Sequence, residues 1–238
     1  METLDNKQEK ITFRAEVSES LVNAIRRYLN HIPVLAIDEV EIFKNGSALY
    51  DETVAHRIGL IPIKTNKAIN EKTKGTLKIS SKKEGFVHSG EFSGDVDVVY
   101  ENIPITFLDK EQELELLATA KAGKGKEHVK FSPGTMFYRV VSEIEMDKQL
   151  FEEVKKVYPK IEYKEKANKI ILLDNGVKEI RDFCEGLAKR LDKKIEVTNK
   201  DELIITLESF GQLKIQDIIK KSVEALKQDL AEVSKKVK

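Results

Sequence analysis

The residues best placed to do chemistry are a glycine- and lysine-rich loop, one thiol, four scattered histidines and a pair of adjacent arginines. In Gly123-Lys124-Gly125-Lys126-Glu127-His128, the glycines would let backbone amides approach an anion and the lysines would supply charge. The loop lacks the Gly-x-x-x-x-Gly-Lys-Ser/Thr order of a phosphate-binding loop, and no strong helix signal follows it. Three readings stay open: a nucleotide site, a basic loop docking on an acidic protein surface or near nucleic acid held by partners, and an ordinary solvated turn. Cys184 falls on the apolar face of a helical pattern, so it reads as a small core residue rather than a nucleophile. His31, His56, His88 and His128 show no paired metal-ligand spacing. Asp51-Glu52 and Glu152-Glu153 read as a helix start and a solvated helix face, not as a catalytic dyad. Arg26 and Arg27 interrupt an otherwise apolar helix. They are either exposed charges with local partners, worth little, or interface anchors exploiting the planar guanidinium. Periodicity alone does not separate these.

The elements that position these groups follow from the hydrophobic pattern. Ile11, Phe13, Ala15 and Val17 alternate with polar residues, which predicts a strand over 11–17. Ser18 is a plausible N-cap, and Leu21, Ala24, Ile25, Tyr28, Leu29 and Ile32 recur at helical spacing until Pro33. A strand is predicted over 34–43, closed by Asn45-Gly46, and a short helix capped by Asp51 runs to Gly59. Leu60 to Ile63 is apolar and extended, and 65–74 is a polar loop. Strand signals recur at 76–79, 95–100, 113–120 and 136–146, predicting a compact, mostly β module. From Asp147 the period changes. Helical stripes over 150–158 and 177–191 flank a strand at 169–173, a small α/β insert. A strand at 202–207 and a break at Gly211 precede the last helix.

That helix carries the most informative pattern. Ile219, Leu226 and Val233 are seven apart, as are Val223, Leu230 and Val237, the spacing of a coiled-coil seam. Ile218 and Ala225 widen it slightly. The stripe packs either on its own domain or on another long helix.

The chain has 238 residues, 40% hydrophobic and 34% charged, with 41 basic and 41 acidic side chains. A protein built to coat nucleic acid carries a basic excess, so any such contact is local or comes through partners. One cysteine excludes an internal disulfide and a multi-cysteine metal site. No signal peptide is evident in residues 1–10 and no apolar run approaches the ~20 residues of a membrane span, which leads to the expectation of a cytoplasmic protein.

Five motifs occur in the order seen in the D-type subunit of archaeal RNA polymerase: Asn23-Ala-Ile-Arg-Arg27, Pro33-Val-Leu-Ala-Ile-Asp38, Ala55-His-Arg-Ile-Gly-Leu-Ile-Pro62, Gly123-Lys-Gly-Lys-Glu-His128 and Glu208-Ser-Phe-Gly211. The chain resembles that family, itself similar to the third-largest subunit of eukaryotic polymerase II and the bacterial alpha N-terminal domain. The resemblance covers nearly everything except roughly residues 147–200. It implies an α+β fold: a discontinuous alpha-like dimerisation domain (1–40 and 200–238), an inserted β-rich domain (41–146) and a small α/β, degenerate ferredoxin-like insert (147–199). The implied function is non-catalytic. By that resemblance the protein would be a component of DNA-directed RNA polymerase, the nucleotidyltransferase EC 2.7.7.6, serving DNA-templated transcription while itself carrying no catalytic or metal-binding residue. The resemblance implies pairing with a smaller alpha-like subunit, L, to form the platform on which the large catalytic subunits assemble, with the small subunits as further partners and DNA met only through the assembled complex. The implied face toward that smaller partner comprises Leu21, Ile25, Leu29, Ile219, Val223, Leu226, Leu230 and Val233. The residues implied to dock on the large subunits are Asn23, Arg26, Arg27, His56, Arg57, Lys124, Lys126 and His128. Many members carry a cysteine-bound iron–sulfur cluster in the third segment. Here only Cys184 is present, so no cofactor is expected.

Overall fold

A computed structural model describes residues 2–65, 69–70, 72–159, 161–166, 169–173 and 180–237. Its first elements are strands β1 (Glu2–Lys7) and β2 (Lys10–Ala15), helix α1 (Glu19–Tyr28), strand β3 (Pro33–Asn45) and helix α2 (Asp51–Gly59). Strands β4 (Lys74–Ser81), β5 (Gly85–His88), β6 (Ser93–Gly94), β7 (Pro104–Leu108), β8 (Leu114–Lys124) and β9 (Gly134–Asp147) follow. The chain continues through helix α3 (Lys148–Val157), strands β10 (Tyr163–Lys166) and β11 (Lys169–Leu173), helix α4 (Ile180–Arg190), strand β12 (Glu196–Ser209) and helix α5 (Ile215–Lys236). Contacts divide these into two compact units, residues 1–22 with 137–206, and 23–136 with 207–238.

The first unit is built on a six-stranded sheet in the order β1-β2-β12-β9-β11-β10. β9 pairs antiparallel with β11, so Ile144 and Met146 share a face with Ile170 and Leu172. The apolar stripes of α3 (Leu150, Phe151, Val154) and α4 (Ile180, Cys184, Leu187) close over that face in one core. Asp147 caps α3: its carboxylate accepts from the Leu150 amide at 2.7 Å and from Lys193 Nζ. Those two hydrogen bonds hold it below the usual carboxylate range.

The second unit holds a four-stranded sheet, β3-β8-β4-β6, and the two-stranded β5-β7. β8 lies between β3 and β4, both antiparallel to it. Its alternation sends Leu114, Leu116, Ala118 and Ala120 inward, where the first three meet Leu77 and Ile79 of β4 and Val54 and Ile58 of α2. Pro62 bridges to Ala36 and Ile63 to Val98, so the extended apolar run expected at 60–63 closes the same core.

Several local expectations are corrected. The strand expected over 95–100 is reduced to the single antiparallel bridge of Val98 to Ile63, with the Lys64 amide donating to the Asp97 carbonyl and the Val99 amide to that of Pro62. The Asp95 side chain takes the Thr76 amide that a continuing ladder would use, ending the pairing after the two residues of β6. Tyr50, not Asp51, occupies the cap position of α2, and Asp51 accepts instead from Asn45 Nδ2 at 2.7 Å. α1 ends at Tyr28 and tightens into a 3-10 turn over 29–31, because Pro33 disfavours helical geometry just before it. The expected helical stripe at 177–191 begins, among the described residues, at Ile180; Val177 lies outside them. Nothing in the hydrophobic pattern predicts β1 or the β5–β7 pair. β1 is mostly exposed and polar, so it carries no alternation to detect.

Candidate functional site

α1 exists because Ser18 accepts from the Leu21 amide at its start and because Val22 and Leu29 bury one side. Leu29 is 2% exposed and supports the surface from beneath, whereas Ile25 is half-buried and Leu21 is exposed. Asn23 Oδ1 accepts from Arg26 Nε at 3.2 Å and from its terminal nitrogen at 2.9 Å. Arg27 is exposed and has no side-chain hydrogen bond or ion pair among the described residues. The two arginines therefore divide the roles that periodicity left open: one has a local partner, the other none.

α5 is held at its beginning by Ile215, Ile218 and Ser222, all buried. Along the seam, Ile219, Val223 and Leu226 are half-buried. Beyond them Leu230 and Val233 are 59% and 57% exposed, and Val237 81%. The seam thus passes from partly covered to open solvent within one helix. Tyr28 donates to Asp229 Oδ2 at 2.8 Å, fastening the end of α1 to α5. That hydrogen bond, ahead of burial, raises the tyrosine pKa.

The residues expected to dock larger subunits fall in separate places. The Gly123–His128 loop is fastened to the end of α1, with the Lys126 amide donating to the Asn30 carbonyl at 3.1 Å. A Cβ at Gly125 would stand 2.6 Å from Asn30 Oδ1, so the close approach needs glycine. His128 Nδ1 accepts from the Lys130 amide at 3.2 Å, and the Lys126 and His128 side chains face solvent. His56 and Arg57 lie on α2, which packs against β3 and β7. His56 is exposed, but the Arg57 guanidinium donates to the carbonyls of Ile105 and Pro104 and so pins α2 to β7.

Sequence reasoning missed one charged cluster. Asp38 takes Lys121 at 2.7 Å and Lys130 at 2.8 Å, joining β3, β8 and the 3-10 turn at 129–131. Burial pushes the Asp38 carboxyl up, but the lysine hydrogen bonds outweigh this and hold it below the usual carboxylate range. Alternation in β3 could have flagged it, since an acid ends the apolar run Val34–Ile37. Cys184 is fully buried and its thiol is pushed up to about 12 by burial. No group of three or more His, Cys, Asp or Glu converges as metal ligands, and no helix is long and apolar enough to cross a membrane, among the described residues. The arrangement is one of surfaces rather than of reacting groups.

Residues 40–138, which cover most of the segment expected to be the β-rich insert, match the family model for the RNA polymerase Rpb3/RpoA insert domain. DNA-directed RNA polymerase subunit Rpo3 of Pyrococcus horikoshii is 32% identical, over 94% of this chain and 92% of that protein. The Pyrococcus furiosus Rpo3 is also 32% identical, over 95% and 92%. The Archaeoglobus fulgidus Rpo3 is 29% identical, over 99% and 96%. With that identity sustained over nearly its whole length, the chain belongs to the family of the archaeal DNA-directed RNA polymerase subunit Rpo3.

Proposed function

We infer that this chain is a non-catalytic assembly subunit of a DNA-directed RNA polymerase, and that it pairs along the seam of α5 and the exposed side of α1 with a smaller alpha-like partner, subunit L. The observation that carries the pairing is the solvent-exposed run Leu230, Val233, Val237 at the end of a heptad stripe. An apolar stripe of this length on a helix is stabilised by burial against another helix. The dimerisation domain in this reading is 1–40 with 200–238, with 41–146 and 147–199 inserted. Arg26, Arg27, His56 and the Lys124–His128 loop are then left for the large catalytic subunits. Arg57 serves that face indirectly, through the carbonyls it holds.

The third segment is read as free of any iron–sulfur cluster. A cluster asks for three or four thiolates, and the one cysteine present is a neutral thiol in the α3–α4 core. That core holds the insert together by apolar packing. Mixing the purified chain with subunit L tests the pairing: a stable 1:1 complex on size exclusion is expected, and two separate peaks at micromolar concentration would reject it. Iron analysis of the purified chain tests the insert, with no stoichiometric iron expected.

A further inference from the structure

α5 has a third face, apart from its core contacts and from the heptad positions of the seam, and Ala225, expected to widen that seam, lies on this face instead. Lys221, Glu224, Ala225 and Gln228 recur at three- and four-residue intervals. At 3.6 residues per turn their mean direction lies roughly 170° from that of the seam residues. They form one wall of a cleft of about 750 Å³. The opposite side comes from His31, Ile32 and Pro33 at the start of β3, from Ile69 and Lys72, and from Lys124 of the glycine-rich loop. All of these residues belong to the second compact unit. Three lysines thus converge on a cleft that holds one glutamate, in a chain whose overall charge is zero. Neither Lys72 nor Lys221 has a side-chain hydrogen bond or ion pair among the described residues. Ile32, Pro33, Ile69 and Ala225 supply apolar surface between the charges.

We propose that this cleft is a docking site for an acidic segment of a protein partner, with carboxylates on Lys72, Lys124 and Lys221 and an apolar side chain seated between Ile69 and Ala225. The charge is complementary to such a segment, and the mixed lining matches a peptide better than a phosphate backbone. Nucleic acid would bring its phosphates against Glu224, and its bases would find little to stack on. The ring lining the cleft, His31, already stacks on Tyr28 at 4.5 Å. Single-strand binding relies on open aromatic platforms beside a basic track. The proposal also gives the Gly123–His128 loop a role that needs no nucleotide. Gly125 brings the backbone against Asn30 and Gly123 lets it pass close to the Phe131 ring, and Lys124 between them lines the cleft.

Fluorescence anisotropy on the full chain tests this, with a labelled acidic 12-residue peptide carrying leucine at every third position. Saturable binding is expected that weakens as salt rises and drops at least tenfold in the Lys72→Glu/Lys221→Glu variant. Ala225→Glu, which places a like charge on the cleft wall, is expected to act in the same direction. Leu230→Asp with Val233→Asp is expected to leave peptide binding intact, so failure of the cleft and failure of the α5 pairing are read separately. Equal binding by the charge-reversed variant at unchanged thermal stability would overturn the proposal. So would no saturable binding to the parent chain, or a thymidine 12-mer that binds more tightly and displaces the peptide.

Discussion

Replacing Leu230 and Val233 by aspartate is the sharpest test of the α5 seam, because neither residue does much for the isolated chain. Both are more than half exposed, at 59% and 57%. What remains to be buried in a complex is worth about 1–2 kcal/mol for each side chain, taking ~1.5–3 kcal/mol for full burial of a leucine or valine. Two carboxylates placed in the seam must in addition be desolvated without partners, at a further cost of about 1–3 kcal/mol. Together these exceed ~3 kcal/mol, which weakens a dissociation constant by at least roughly a hundredfold. The cost to the free chain is small: exposed positions tolerate substitution within ~0.5 kcal/mol, and aspartate lowers helix propensity by about as much per site. At this chain length the melting temperature should fall by no more than ~2–4 °C. Isothermal titration of parent and double variant with subunit L, beside thermal melts of each, separates the terms. An unchanged dissociation constant at unchanged stability would refute the assignment, and the stripe would then be a surface feature of this chain alone.

Arg57→Ala should lower the melting temperature of the isolated chain by several degrees, since the carbonyls of Ile105 and Pro104 lose their shared donor at about 1–2 kcal/mol; Arg57→Lys should restore little, lacking the planar fork, and melts unchanged in both would contradict the structural role. Cys184 should resist a thiol-reactive maleimide in the native chain and label fully in denaturant, its thiol being buried and pushed up to about 12; rapid native labelling would show that the α3–α4 core opens. Asp38 has its folded pKa lowered below the unfolded value, so its contribution is present above ~pH 4 and lost as pH falls toward the folded pKa. Melts of parent and Asp38→Asn should therefore differ at pH 7 and converge near pH 3; a gap constant with pH would rule out the Lys121–Asp38–Lys130 pairing as its source.

Much of this organisation is legible from periodicity. The strands at β3, β4, β8, β9, β11 and β12 and the helices α2, α3, α4 and α5 coincide with alternation or a 3.6-residue stripe, because each buries one face. Where burial does not set the pattern, the sequence is silent or misleading. β1 lies at a sheet edge with polar residues on both faces. The run Asp95–Tyr100 alternates as a strand should, yet the Asp95 carboxylate satisfies Thr76 and breaks the ladder, a local hydrogen bond that no periodicity encodes. Arg57 sits in a motif that invites an interface role, and only the placement of α2 beside β7 reveals the two carbonyls it serves. The heptad of α5 announces a seam, but the cleft on its other side depends on Lys72 and Lys124, far away in sequence and adjacent only once β3, β4 and β8 are aligned.

The titrating groups add an independent argument for a binding role. A catalytic acid or base works best with a pKa brought toward neutrality by its surroundings. Among the described residues the resolved shifts all run the other way. Asp38, Glu113, Glu145 and Asp147 are lowered, and Lys44, Lys121, Lys169, Tyr28 and Cys184 are raised. Each ionic pair in that set stabilises the charge state its groups already hold at pH 7, as structural pairing does. Several motif residues that look reactive are occupied within the chain: Arg57 donates to carbonyls, the exposed His128 ring accepts from the Lys130 amide, and Cys184 packs in the core. Arg27, the open end of the α5 seam, and the lysines Lys72 and Lys221 are among the groups that have no internal partner among the described residues. These are a charge on one helix, an apolar stripe on another and a basic cleft, all features that gain free energy only when another molecule covers them.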